Sequence, residues 1–207
     1  MRLLILGSTG PTGRHLLDQA LVARHEVTAL VRNALRLTIA HPHLAVAVGD
    51  ATDSKALGQV MRDKDAVLSA LGAGNSLRSE IASRAMAALI TAMRSQALKR
   101  VIFLSTFGVG DSFEQASLMQ RLAYRTMLRQ IFADKAKANA MLRASGLDWT
   151  LVYPTLLTNG ARTGTYRVGE RLAMKGMARI SRADVAAFML AQLSTDEWRC
   201  RTVVISN

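Results

Sequence analysis

Short apolar runs alternate with amphipathic stretches along almost the whole chain, and this alternation constrains the fold more than any other feature. The runs "RLLIL" (2–6), "EVTALV" (26–31), "LAVAV" (44–48), "DAVLSAL" (65–71), "RVIFLS" (100–105), "WTLVY" (149–153) and "TVVIS" (202–206) have the length and continuity of buried parallel strands. Between them, apolar positions recur with a period near 3.6. This predicts helices over 11–23, 53–62, about 76–96, 113–145 and 181–194. A short polar helix is expected near 33–39, and the loop-rich stretch 155–178 holds one further strand, "GTYRV" (164–168). Strands alternating with helices through short connections make a parallel sheet covered on both faces. The expected architecture is therefore α/β and doubly wound, with right-handed crossovers. Such sheets take ligands beyond the carboxyl ends of their strands, near the point where strand order reverses. The residues that follow each strand are the candidates for function. No internal repeat, low-complexity tract or linker interrupts 1–207, so a single domain is expected, with about 155–180 packing as a small substrate lobe.

Composition narrows the class. A chain of 207 residues, half of them hydrophobic and only three of them proline, suits a compact globular domain rather than a disordered one. No apolar run approaches the roughly 20 residues of a membrane span. One arginine and four apolar residues before Gly7 are too few for a secretory signal, and the lone Cys200 has no internal disulfide partner. A cytoplasmic setting is expected. The formal charge of +12 is scattered, with no Lys/Arg block, no aromatic-interleaved basic strand and no zinc spacing. Aromatics at 5% are too few for base-stacking platforms, so a small anionic ligand is expected rather than nucleic acid or membrane. His15, His25, His41 and His43 do not form a ligand set, and no metal is expected.

The first strand runs into "GSTGPTG" (7–13), where Gly7, Gly10 and Gly13 stand at intervals of three. A helix starting near Pro11 offers unpaired N–H groups and a positive dipole end, and glycine lets backbone approach a pyrophosphate. Pro11 suits the first helical turn, where its missing N–H costs nothing. The spacing G-x-x-G-x-x-G differs from the commoner G-x-G-x-x-G, and a plain tight turn is the competing explanation. The second strand ends in "LVRNALR" (30–36), with no acid for a ribose 2′-hydroxyl but with Arg32 and Arg36. Paired guanidinium bonds would hold a 2′-phosphate; two solvated arginines on a loop are the alternative. After the third strand, Asp50 in "VGDATD" is placed to accept a bond from an adenine amino group, while Asp53 caps the next helix. Small residues in "LGAGN" (71–75) leave room for a ribose after the fourth strand.

These segments, together with "VIFLSTFG" (101–108) and "MLRASGLDWTLVYPTLLTNG" (141–160), resemble the atypical short-chain dehydrogenase/reductases. More narrowly, the chain is similar to the biliverdin-IXβ reductase / flavin reductase group and its bacterial NAD(P)H-binding relatives. The likeness reaches "RISRADVAAFMLAQLSTDEW" (179–198) but is unspecific over about 107–130 and 155–178. It implies a Rossmann-like fold using NADPH. By motif position it puts the pyrophosphate on Gly7, Thr9, Gly10, Thr12 and Gly13 and the 2′-phosphate at Arg32 and Arg36. Adenine falls by Asp50 and Ala51, the ribose by Leu71 and Gly72, and the nicotinamide between Leu156 and Leu157 after Pro154.

The wider superfamily uses a serine, a tyrosine and a lysine in Y-x-x-x-K spacing, the tyrosine giving the proton. The resemblance puts Thr106 in the serine's place, with Ser105 beside it, and Lys135 in the lysine's place. Four residues before Lys135 stands Ile131, which has no proton to give. Tyr124 precedes Lys135 by about three helical turns and needs a bend to substitute. Thr106 is equally readable as a strand-end hydroxyl bonded to local backbone, and Lys135 as a solvated helix lysine. Trp149 and Tyr153 read as core or pocket wall. The departure at 131 counts against ordinary alcohol/ketone chemistry and suits a conjugated acceptor. The leading reading is an NADPH-dependent reductase of a planar, anionic, conjugated small molecule such as a flavin or linear tetrapyrrole, working as a monomer or homodimer. The alternatives are a non-catalytic NADP(H)-binding redox sensor, a sugar-nucleotide epimerase-like enzyme and an RNA-binding use of the basic surface.

Overall fold

The structure, a computed structural model, describes residues 1–72, 80–109, 129–174 and 177–207. Its centre is β1 (Arg2–Leu6), in which Leu3 to Leu6 are all but completely buried. Leu4 and Leu6 enter one hydrophobic cluster and Leu3 and Ile5 another, because successive strand side chains point to opposite faces. A strand with no polar face needs cover on both sides. One cover is α1 (Pro11–Val22) with a C-terminal helix, α5 (Arg182–Ala191). The other is α2 (Ser54–Met61), α3 (Ile81–Ser95) and α4 (Arg129–Arg143).

Parallel pairing extends the sheet from β1 to β2 (Glu26–Val31) and β3 (Leu44–Val48) on one side. On the other side come β4 (Ala66–Ser69), β5 (Arg100–Leu104), β6 (Asp148–Pro154) and β10 (Arg201–Ser206). With the short edge strand β8 (Arg167–Gly169), antiparallel to β10, the order is β3-β2-β1-β4-β5-β6-β10-β8. Strand order therefore reverses between β1 and β4, and the ligand crevice of such a sheet opens above their carboxyl ends. Val46 and Val48 on the edge strand β3 stay exposed although the run is as apolar as the central ones.

Several boundaries differ from the sequence reading. The polar helix expected at 33–39 is only a single 3-10 turn, Ala34–Arg36, whose residues bury nothing. The fourth strand closes at Ser69, and the ladder ends with Ala70 N–H donating to Leu6. The strand expected at 164–168 forms three residues later as β8. Two strands went unforeseen: β7 (Leu156–Thr158) and β9 (Arg179–Ser181) pair in parallel as a separate small sheet. The beginnings of the helices expected at 76–96 and 113–145, and with them Tyr124, lie outside the described residues.

Asp184, in the first turn of α5, ties the 155–180 stretch to the body. Its carboxylate accepts from Thr163 N, Gly164 N, Thr163 Oγ1 and Ser181 Oγ at 2.7–2.9 Å. Ser181 Oγ accepts in return from Asp184 N, so it also caps α5. Burial alone would raise the Asp184 pKa, but the bonds from Gly164, Ser181 and Thr163 hold it below the ordinary carboxylate range. Among the described residues, no helix is long and apolar enough to cross a membrane, and no cluster of three His, Cys, Asp or Glu could hold a metal ion.

Candidate functional site

The three glycines of the first turn do different work. Gly7 has φ +80°, and a Cβ there would lie 2.6 Å from the Ala70 carbonyl oxygen. At Gly13 a Cβ would lie 1.9 Å from the Gly7 carbonyl oxygen. Gly7 is required by the turn's packing against the end of β4, and Gly13 by the packing of the turn on itself. Gly10 is the N-cap of α1; its neighbour at 3.2 Å would crowd a Cβ only slightly. No side chain caps the helix, there is no acid in its first turn, and Pro11 occupies its first position. The first turn of α1 therefore presents its positive dipole end with neither a capping side chain nor a carboxylate against it. The tight-turn reading accounts for Gly7 and Gly13, while Gly10 is left without such a demand.

Beside this turn a cleft of about 350 Å³ is lined by Thr9, Arg32, Asn33 and Arg36. It forms because β2 ends at Val31 and the chain turns at once. Asn33 fixes that turn by accepting from Leu35 N at 2.9 Å, which leaves Arg32 and Arg36 on one side, both exposed. Asp50 follows β3. Its Oδ1 accepts from Thr52 N at 2.8 Å and Thr52 Oγ1 at 2.9 Å. These bonds, with the positive fields of Arg32 and Arg84, hold its pKa below the usual value and keep it a charged acceptor. Asp53 accepts from Lys55 N and Ala56 N and caps α2 as expected, while Asp50 takes no part in that cap. Ala51 is half-buried beside them. Leu71 is half-buried after β4, and Gly72 has open space where a Cβ would stand. Past Pro154, Leu156 is 55% exposed and Leu157 half-buried.

At the carboxyl end of β5 the structure brings together two residues 29 apart in sequence. Lys135 Nζ, on α4, donates to Thr106 Oγ1 at 2.5 Å. Burial lowers the Lys135 pKa to about 8, opposed in part by the negative charge of Asp134. Asp134 is committed elsewhere, accepting from Ala82 N (2.8 Å) and Ser83 N (3.1 Å) at the start of α3. Thr106 is half-exposed. An ammonium that donates to a hydroxyl leaves the hydroxyl's own proton free for a group in the crevice. Ile131, one turn before Lys135, supplies no titratable group. Ser105 lies apart from the pair. It is 4% exposed, and its Oγ accepts from Asn139 Nδ2 at 3.0 Å.

Asn33, Arg84 and Asn139 were not singled out in the sequence. Asn33 was visible as the turn residue between two arginines. Asn139 was visible in the i, i+4, i+8 spacing of Lys135, Asn139 and Arg143 on one helix.

A family model described as NAD(P)H-binding matches residues 7–196. YwnB of Bacillus subtilis (strain 168) is 27% identical over 207 residues, covering 95% of this chain and 94% of that protein. A short-chain dehydrogenase/reductase from Veillonella parvula DSM 2008, solved in complex with NADP, matches with a TM-score of 0.84 at 18% identity over 100% of this chain and 94% of that one. ChuY, an anaerobilin reductase from Escherichia coli O157:H7, matches with a TM-score of 0.82 at 24% identity, covering 99% and 96% of the two chains. At these identities the two structures establish a shared fold.

Proposed function

The chain belongs to the NAD(P)H-binding family, and on that premise we propose that it is an NADPH-dependent oxidoreductase acting on a planar, conjugated, anionic acceptor of the flavin or linear-tetrapyrrole kind. The observation that carries this reading is the Lys135–Thr106 pair at the carboxyl end of β5, on the same edge of the parallel sheet as the cationic cleft that follows β1 and β2.

The residues present fit the dinucleotide. Thr12 and Gly13 would take the pyrophosphate on bare amides. Thr9 would also face the pyrophosphate; Arg32 and Arg36, with Asn33, would take the 2′-phosphate, Asp50 the adenine amino group, and Leu156 and Leu157 the nicotinamide. When bound, the cofactor would supply a hydride. The chain's own part is to orient the acceptor and deliver a proton. Thr106 Oγ1 gives its proton to the reduced acceptor while taking one from the Lys135 ammonium, which is then reprotonated from solvent. A conjugated acceptor spreads the incoming charge over its π-system, so a threonine backed by an ammonium suffices where an isolated carbonyl would call for a tyrosine. ChuY, an anaerobilin reductase, supports the acceptor class. The charge of +12 agrees with an anionic substrate.

The test is direct. The purified protein is mixed with NADPH and either FMN or biliverdin, and absorbance at the nicotinamide band is followed. Acceptor-dependent oxidation is expected. NADPH binding without oxidation across a panel of conjugated acceptors would favour the redox-sensor reading, for which the missing tyrosine at Ile131 speaks.

A further inference from the structure

We propose that Asn139 is the positioning residue of this site: by tying α4 to β5 through Ser105 and to β6 through Tyr153, it seats the Lys135 ammonium on Thr106. The inference rests on the reading of Lys135 and Thr106 as the proton-delivery pair.

Lys135, Asn139 and Arg143 stand at i, i+4 and i+8 and therefore share one face of α4. Each reaches a different part of the sheet. Lys135 meets Thr106 just past β5. Asn139 Nδ2 donates to Ser105 Oγ at 3.0 Å and to Tyr153 Oη at 2.9 Å, on neighbouring strands. Arg143 Nη2 donates to Tyr153 Oη at 3.3 Å and to Thr202 Oγ1 at 3.1 Å, which carries the column to β10. Only the middle rung is fully withdrawn from water: Asn139 and Tyr153 are each 1% exposed and Ser105 is 4% exposed. Hydrogen bonds in such surroundings are directional and costly to leave unmade, so they specify one placement of the helix where apolar packing would tolerate several.

The placement matters because Ser105 is the chain neighbour of Thr106, and Asn139 is one helical turn from Lys135. Holding Asn139 on Ser105 fixes both the depth and the rotation of α4 at the height where the ammonium meets the hydroxyl. The orphaned Oδ1 of Asn139 is the second sign. A buried amide with an unpaired carbonyl carries a desolvation cost that an apolar residue would avoid. Among the described residues, the charge that acts on Lys135 is that of Asp134 on its own helix, held by α3; Arg143 lies two turns on, bonded to Tyr153 of β6. None takes its place on Thr106.

The experiment follows the 13Cε signal of Lys135 through a pH titration, assigned by its loss in Lys135→Met. It runs beside steady-state NADPH oxidation with FMN. Asn139→Asp puts a carboxylate one turn from the ammonium, with Ser105, Tyr153 and Arg143 as donors. The Lys135 midpoint is expected to move up by about one unit or more, and any alkaline limb of turnover should move with it. Asn139→Ala should lower kcat about tenfold or more while KM for NADPH stays within twofold. An unmoved Lys135 midpoint in Asn139→Asp, or an unchanged kcat in Asn139→Ala, overturns the proposal. If Asn139→Asp does not fold, Ser105→Ala serves: a drop in kcat with unchanged KM supports the tie, and no change in either overturns it. A midpoint that moves while Lys135→Met leaves NADPH oxidation intact would overturn the proton-delivery reading and leave the coupling standing.

Discussion

On the proposed reading, Arg32 and Arg36 separate two dinucleotides that differ by one phosphate. Replacing either with alanine removes charge-assisted bonds worth roughly 1.5–3 kcal/mol, about one to two decades of affinity. NADPH binding measured by calorimetry should weaken by about that factor, whereas NADH binding should change little. Equal losses for both would show that the arginines do not face the ribose phosphate. Lys135 carries a pH signature of two kinds. Its ammonium must be charged to feed Thr106, so turnover should fall as pH rises through about 8. In the folded protein it holds its proton less tightly than in the unfolded chain. Between about 8 and the ordinary lysine value of 10.5 the unfolded state binds more protons, and stability rises with pH there. Lys135→Met should therefore raise Tm at pH 7, with the gain shrinking above pH 8. A gain independent of pH would show that the ammonium carries no burial cost.

At the scale of elements, the first turn and the α5 clamp are the two places where one atom decides a local structure. Gly13→Ala would put a methyl 1.9 Å from the Gly7 carbonyl oxygen. Over-packing of this kind costs on the order of 3 kcal/mol, or about 6–12 °C in Tm for a chain of this size. Gly10→Ala meets only a 3.2 Å neighbour, so its effect on Tm should be much smaller. The Asp184 clamp gives a different signature. Its carboxyl is held below the ordinary range, so its contribution is full above the unfolded-state value and is lost as pH falls through the folded one. Asp184→Asn should lower Tm at neutral pH and expose 155–180 to proteolysis. The gap to the parent protein should close as the solution is acidified below about pH 4. A gap unchanged by acid would mean that packing, not the carboxylate, holds the stretch.

For the whole molecule, the crossing from β1 to β4 opens a ligand crevice above the carboxyl ends of strands from both halves of the sheet. A ligand bound there links both halves of the sheet and opposes global unfolding. At a hundred times its dissociation constant, NADPH should stabilise the protein by about 2.7 kcal/mol, a rise of roughly 5–11 °C. The excess of positive charge steers an anionic cofactor from a distance and is screened within about 10 Å at 0.1 M salt. The apparent KM for NADPH should accordingly rise with ionic strength while kcat holds.

The alternation of apolar runs and amphipathic helices dictated the doubly wound sheet, because a strand with no polar face can only lie between two layers. The glycine turn and the arginines after β2 were legible for a related reason: their chemistry sits within a few residues of one strand end, where spacing along the chain equals placement in space. The pairing of β7 with β9 and the attachment of β8 to the sheet edge were not legible. Three-residue strands have no period, and partners 23–39 residues away make them. The meeting of Lys135 with Thr106 was suggested only by resemblance, since nothing local joins residue 135 to residue 106. Tertiary packing alone turned Ser105 onto Asn139 and away from that pair. A helix face becomes a site only when the sheet beneath it decides which of its polar residues stay in water and which must find partners in the core.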